Sequence, residues 1–246
     1  MNKERKARNI NNSSLRDNED MPVFDYIDKI NHGQKITMLE VGSGECRFVR
    51  KIKKLYPKIE ITCIEINPNL AKFAEELGCI VINSNILDVE LKEKYDIVHC
   101  SHVIEHFSYP NIMKVLDFLV SVVNDNGRLI IRSPLIDDKD TMCFYGNLDH
   151  IKVYPPIAII NYFELKQQQK QGKAKIAVET IWYRTSPKQL EQISTWHIAY
   201  GLIFFKTIMN YCIKKINRIY QFLWNRYRWP STKPHGYVMI IKVIAI

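Results

Sequence analysis

Between Tyr95 and His106 the chain reads YDIVHCSHVIEH, which sets His99, His102, Glu105 and His106 close together in the densest polar cluster of the sequence. A histidine with a pKa near neutrality can take a proton from a hydroxyl, and a carboxylate beside it can orient the ring. A second polar pair, Asp149-His150, lies in YGNLDHIK. His150 can contact a substrate or join Glu105 and His106 around a divalent ion. No tight ligand spacing demands an ion, so the expectation is a metal-free site. Glu105 and His106 also have a plainer use, as caps of the following helix or as ties between loops. Alternation along a strand makes His99 and Cys100 structural rather than catalytic.

A different chemistry attaches to Gly42-Ser43-Gly44. Such a turn between strand and helix lets backbone N–H groups approach a ligand where a Cβ would collide, at a helix N-terminus that favours anionic or polar groups. A dinucleotide site requires Gly-x-Gly-x-x-Gly, and here Arg47 stands at the third glycine position. Glu40, just before the turn, is a poor neighbour for a diphosphate. It suits a zwitterionic amino-acid ligand with an adjacent cationic sulfonium. A second acid, Glu65, ends the next strand.

These residues reach one edge only if the elements around them alternate. From Lys35 the pattern is strand, turn, helix, strand, helix, strand, as in a parallel sheet covered by helices. The expected strands are KITMLEV, IEITCIEI as far as Glu65, CIVIN, Tyr95 to Ile104, RLIIRSP after the turn Asp125-Asn126-Gly127, AKIAVETIWYRT, and GYVMIIKVIAI at the C-terminus. Expected helices follow the glycine turn as far as Pro57, then run from about Asn69 to Leu77, from Pro110 to Val123, and through PPIAIINYFELKQ. Ser186-Pro187-Lys188-Gln189 has the form of a helix start and opens a long helical insertion. Ligands of open parallel sheets bind beyond the carboxyl ends of the strands, where both candidate sites fall.

The EVGSG run at Glu40 to Gly44, the acid at Glu65 and the YDIVHCSHVIEH segment together resemble the motifs of class I S-adenosylmethionine (SAM)-dependent methyltransferases, over about Lys35 to Pro134. The resemblance implies an α/β fold: a Rossmann-like, seven-stranded, mostly parallel sheet with helices on both faces, an antiparallel last strand and a helical insertion before it. It implies SAM as cofactor. Gly42, Ser43 and Gly44 then line the methionine part with Glu40 and Ser101 nearby, Glu65 with Ile66 takes the ribose hydroxyls, and Ser84-Asn85-Ile86 lies beside the adenine. Asn85 stands where the family usually has Asp, and its side-chain carbonyl can accept from the adenine amine. Cys46 stands where many members have a third glycine.

The VIEH stretch is similar to the corresponding segment of quinone-pathway O-methyltransferases and of many small-molecule and cell-envelope glycan methyltransferases. By that resemblance His106 is the first choice for base, with Glu105 and His150 beside it. The acceptor is then a small or lipid-linked molecule, such as an envelope sugar or a quinone precursor, methylated on oxygen. One alternative is RNA methylation, which a sequence pI near 9.1 favours. Against it, the fourth strand lacks the N/D-P-P-Y end used for base amines and no Pro-Cys nucleophile is present. The other alternative is a SAM-binding, membrane-attached scaffold without catalysis.

Composition sets the frame. At 246 residues, 46% hydrophobic and 25% charged, the chain suits one well-buried domain spanning 21–246, with a flexible polar arm over 1–20. That arm lacks an apolar core of the signal-peptide kind, which points to the cytoplasm. The six cysteines are scattered without a CxxC pair, as reduced core thiols would be. The net charge of +9 is concentrated late, because no acid follows Glu191. Within the insertion, at about 186–236, a helix over 202–228 would carry Phe205, Met209, Ile216 and Leu223 on one face and Lys206, Lys214 and Arg228 on another. It would pack on the sheet or on a second subunit, or lie at the anionic inner face of a membrane, where Trp224 and Trp229 suit the interface.

Overall fold

The computed structural model describes residues 20–31, 33–136, 144–145, 147–169, 174–184 and 236–245. The chain divides into one unit of residues 1–184 with 236–246 and another of 185–235. The expected helix start at Ser186 and the basic helix over 202–228 lie outside the described residues.

In chain order the elements are α1 (Met21–Ile30), β1 (Thr37–Val41), α2 (Arg47–Leu55), β2 (Glu60–Ile64), α3 (Pro68–Glu76), β3 (Ile80–Ile82), β4 (Tyr95–Ser101), α4 (Asn111–Ser121), β5 (Val123–Pro134), α5 (Pro156–Gln168), β6 (Ala174–Arg184) and β7 (Gly236–Ala245). Single 3-10 turns form at Ile86–Asp88 and Ile104–His106. The seven strands make one sheet in the order β3-β2-β1-β4-β5-β7-β6. Pairing is parallel from β3 through β5, and β7 runs antiparallel to both β5 and β6. The expected Rossmann-like sheet with an antiparallel last strand is therefore present.

The central strands are apolar on both faces, as helices on both sides require. Val98 and Cys100 of β4 join Leu39, Leu129 and Ile131 in a core covered by Val115 and Leu119 of α4 and by Ile159 and Phe163 of α5. Ile97, Met38 and Ile130 face the other way, into a core with Val49 and Ile52 of α2 and Val23, Phe24 and Ile27 of α1. Each such side chain, fully buried, contributes about 1.5–3 kcal/mol. At the start of α3 the Asn67 side chain accepts the Asn69 N–H at 2.9 Å, and Pro68 takes the first helical position.

Four features depart from expectation. α1 was not among the predicted elements, although Val23, Phe24 and Ile27 give it a buried face. Asp20, counted with the arm, is buried and ion-paired to Arg132 and Lys51, both at 2.6 Å. β4 stops at Ser101 rather than Ile104, because His102 takes φ +56° and turns the chain out of the ladder. β5 begins at Val123 rather than after Gly127, with a register irregularity where Asn126 adopts φ +61°. Among the described residues, no helix is long and apolar enough to cross a membrane.

Candidate active site

β1 and β2 carry their acids to the same edge of the sheet, and each acid finds a different partner. Glu40 lies opposite His99 in the β1–β4 register, and its Oε2 takes the His99 Nδ1–H at 2.8 Å, with both side chains buried. The expectation had turned Glu40 toward a ligand. In the structure it is held by a cross-strand neighbour on the same face, as the parallel register dictates. The ring of Phe48 covers His99 at 4.3 Å between centroids. His99 and Cys100 are fully buried, in keeping with structural roles. Burial raises the Cys100 thiol well above its ordinary pKa.

Glu65 sits one residue beyond β2, with its carboxylate folded back over the glycine turn. Oε2 accepts the Gly44 N–H at 2.8 Å and Oε1 accepts the Asn67 N–H at 3.0 Å. Each oxygen keeps a second lone pair for a hydroxyl donor. Beside it Ile66 is 64% exposed, an apolar side chain left to water or to a ligand. Asn85 caps the 3-10 turn by accepting the Leu87 N–H at 3.0 Å, so its carbonyl is already engaged and its amide NH2 faces elsewhere. Ile86 is packed into the core rather than displayed. Ser101 is half-buried at the last position of β4.

The turn itself shows why glycine is needed. Gly42 has φ +73°, and a Cβ there would lie 2.5 Å from Val103 Cγ2, whereas a Cβ on Gly44, at φ +49°, would meet nothing within 4 Å. Gly42 is thus small for the sake of Val103, and the contact sets the turn directly against the His102–His106 segment. Gly44 borders open space. Among the described residues, the buried Ser43 Oγ has no hydrogen-bond partner. A glycine turn bordering open space, a buried hydroxyl, a carboxylate with spare lone pairs and an exposed isoleucine fit an amino-acid-bearing nucleoside.

Beyond Ser101 the polar cluster is assembled from three parts of the chain. Glu105 is fully buried; Oε1 accepts from His102 Nδ1 and Oε2 from Ser133 Oγ, each at 3.2 Å. Its backbone carbonyl takes the N–H groups of Ile151 and Lys152, which moors the loop after β5. That loop brings His150 to His106, 4.9 Å apart between ring centroids. His106 Nδ1 donates to the Asp149 carbonyl at 3.1 Å, and His150 Nδ1 to the Phe144 carbonyl at 2.8 Å. The structure therefore unites the three residues expected at the acceptor edge, Glu105, His106 and His150. The sequence reading passed over Ser133 and the support that His102 gives Glu105. The i, i+3 spacing from His102 to Glu105 was the available signal; Ser133 carried none, because it meets Glu105 only through strand order.

Residues 39–129 match the family model described as a methyltransferase domain. No curated protein matches by sequence. Among solved structures, a SAM-dependent methyltransferase from Archaeoglobus fulgidus is 20% identical, with 90% of this chain and 91% of that one covered at a TM-score of 0.58. A sarcosine dimethylglycine methyltransferase described as putative, from Galdieria sulphuraria, is 14% identical over 91% of this chain and 84% of its own, with a TM-score of 0.56. Phosphoethanolamine N-methyltransferase 2 from Haemonchus contortus, solved with S-adenosyl-L-methionine, is 11% identical over 92% of this chain and 53% of its own, with a TM-score of 0.54. Residues 39–129 thus carry the pattern of a methyltransferase domain, and the fold of the chain is the one shared by these methyltransferases.

Proposed function

We propose that the enzyme methylates an oxygen of a small or lipid-linked acceptor, a sugar or a quinone-like phenol, at the edge formed by Glu105, His106 and His150. The observation that carries this reading is the contact of Gly42 with Val103, which puts a histidine-rich acceptor edge against the turn that receives the cofactor.

In this reading Gly42 and Gly44 shape the turn that lines the amino-acid part, and the Ser43 hydroxyl is the group that holds it. Glu65 takes the ribose hydroxyls, and Ile66, Asn85 and Ile86 border the adenine. Glu40, anchored by His99, supplies negative charge behind the turn, and Ser101 closes the floor. SAM, when bound, supplies a methyl group on a positively charged sulfur. The chain aligns the acceptor for in-line displacement. His106, whose Nδ1–H is fixed on Asp149 O, offers Nε2 to the acceptor proton. With SAM bound, His106 would hold the proton given up by the acceptor hydroxyl. The late basic run supports an acceptor presented at an anionic membrane surface.

The test is methyl transfer from radiolabelled SAM to a panel of phenols, hexoses, long-chain alkyl glycosides on anionic vesicles, amines and total RNA. We expect transfer to a hydroxyl acceptor, with His106→Gln lowering kcat by about 10²–10⁴-fold while leaving the affinity for S-adenosylhomocysteine (SAH) unchanged. Transfer to amines or RNA alone, or full activity in the variant, would sink the reading.

A further inference from the structure

The Glu105 carboxylate is taken wholly out of water, yet among the described residues its side-chain partners are His102 and Ser133 at 3.2 Å each. Two long hydrogen bonds offset little of the cost of burying an ionised carboxylate. His102 reaches Glu105 from a left-handed backbone conformation, φ +56°, that a residue with a Cβ rarely adopts. Strain of this kind persists where the surrounding structure holds a group in place for a purpose.

His106 and His150 stand beside that carboxylate with their rings oriented by backbone carbonyls. Each directs Nδ1 at a backbone carbonyl, Asp149 O at 3.1 Å and Phe144 O at 2.8 Å. A carbonyl only accepts, so each Nδ1 carries a hydrogen, which in a neutral imidazole leaves Nε2 as the ligating atom. Asn147 Nδ2 lies 3.2 Å from His150 Nε2, and a cation bound to that nitrogen would displace the amide. Neutral imidazole is the form that binds a metal, and a backbone carbonyl is a usual partner for the other ring nitrogen. One ligating atom from each of Glu105, His106 and His150 lies within 4.8 Å of the others. Metal–nitrogen bonds of about 2.0–2.1 Å place ligands of one ion up to roughly 4.2 Å apart. A small side-chain rotation closes that gap.

We propose that Glu105, His106 and His150 form a binding site for a first-row transition-metal dication, of the Mn²⁺, Fe²⁺, Co²⁺ or Zn²⁺ class. Two imidazoles with one carboxylate select such ions over Mg²⁺ and Ca²⁺, which prefer oxygen ligands throughout. Three protein ligands leave coordination positions open at the acceptor edge. There the cation polarises the acceptor hydroxyl and lowers its pKa, so the proton leaves to solvent as the oxygen takes the methyl group and the C–S electron pair returns to sulfur. His106 serves as proton acceptor, as proposed above, while the site holds no cation, and as a ligand when the cation is bound. This consequence rests on the methyl-transfer reading; the binding of the cation does not.

The experiment uses full-length protein stripped with chelator and dialysed against Co²⁺, Mn²⁺ or Mg²⁺, with the thermal midpoint measured with and without SAH. The expected result is one Co²⁺ per chain with visible d–d absorption, at least tenfold tighter than Mg²⁺. His150→Ala should weaken Co²⁺ by more than about tenfold and Glu105→Gln similarly, while His150→Ala keeps the SAH-induced rise in Tm as proof of folding. Absence of stoichiometric Co²⁺, or equal Co²⁺ binding by wild type and His150→Ala, overturns the site, and Mg²⁺ binding as tight as Co²⁺ overturns its class. Co²⁺ binding without any SAH shift would support the site while contradicting the donor reading.

Discussion

The glycine turn and the histidine-rich edge lie side by side on the sheet and are built in opposite ways. Around the turn, backbone does most of the holding. Gly42 N–H is bonded to Ile64 O at 2.8 Å, and Glu65 gathers the N–H groups of Gly44 and Asn67, so neighbouring strand ends fix the geometry. At the acceptor edge, side chains from the segment after β4, from β5 and from the loop at 144–150 meet over longer chain separations. The turn is rigid because it is an extension of the sheet, whereas the edge depends on a loop moored to Glu105 O. A scaffold of this kind fixes its donor on regular elements and leaves acceptor choice to loops, which are freer to vary.

The sharpest way to break that contrast is Glu65→Ala. It removes the acceptor of two backbone N–H groups and the candidate ribose ligand together. We expect SAH affinity, measured by calorimetry, to fall by more than about tenfold, with a stability cost of about 1–3 kcal/mol. Unchanged SAH binding would show that the turn alone holds the donor. Next in size is a paired substitution in the turn. Gly42→Ala should cost about 1–3 kcal/mol in denaturant unfolding, since its Cβ would meet Val103 Cγ2 at 2.5 Å. Gly44→Ala should cost less, because its Cβ meets nothing, and Val103→Ala should restore part of the Gly42→Ala loss. Equal effects at the two glycines would remove the packing argument.

The smallest effect concerns thiols under the same strands. Cys63 and Cys79 form a hydrogen-bonded pair in which the bond from the Cys63 thiol lowers the Cys79 pKa below its ordinary value, while that same bond and burial push Cys63 up. Cys79 is partly exposed and Cys63 is buried. Iodoacetamide should therefore label Cys79 before Cys46 or Cys63, at a pH where an ordinary thiol is mostly protonated. Cys63→Ala should slow that labelling, as mass spectrometry of the alkylated peptides would show. Labelling in the reverse order would contradict the assigned donor and acceptor.

Much of the fold was legible because each strand is a short apolar run closed by a recognisable stop: Gly42 after β1, Gly78 after α3, Asn126-Gly127 before the regular part of β5. Where a stop lay in conformation rather than residue type, the reading failed. Nothing in the letters around His102 announces a positive φ, so β4 was drawn three residues too long. α1 carries no clear sequence signal because its apolar face is short and adjoins a polar arm; the Asp20 carboxylate is held by Arg132 and Lys51, which arrive from β5 and α2.

For the sites, residue types and spacing along the chain determined the glycine turn, the acid that closes β2 and the histidine cluster after β4, since each depends on neighbours within a few residues. Tertiary structure alone decided that Glu40 is held by His99, that Gly42 is a glycine because Val103 fills its Cβ position, and that His150 joins Glu105 and His106. Those facts depend on strand register and on the return of a distant loop, which are set by the packing of the whole sheet and not by any local pattern.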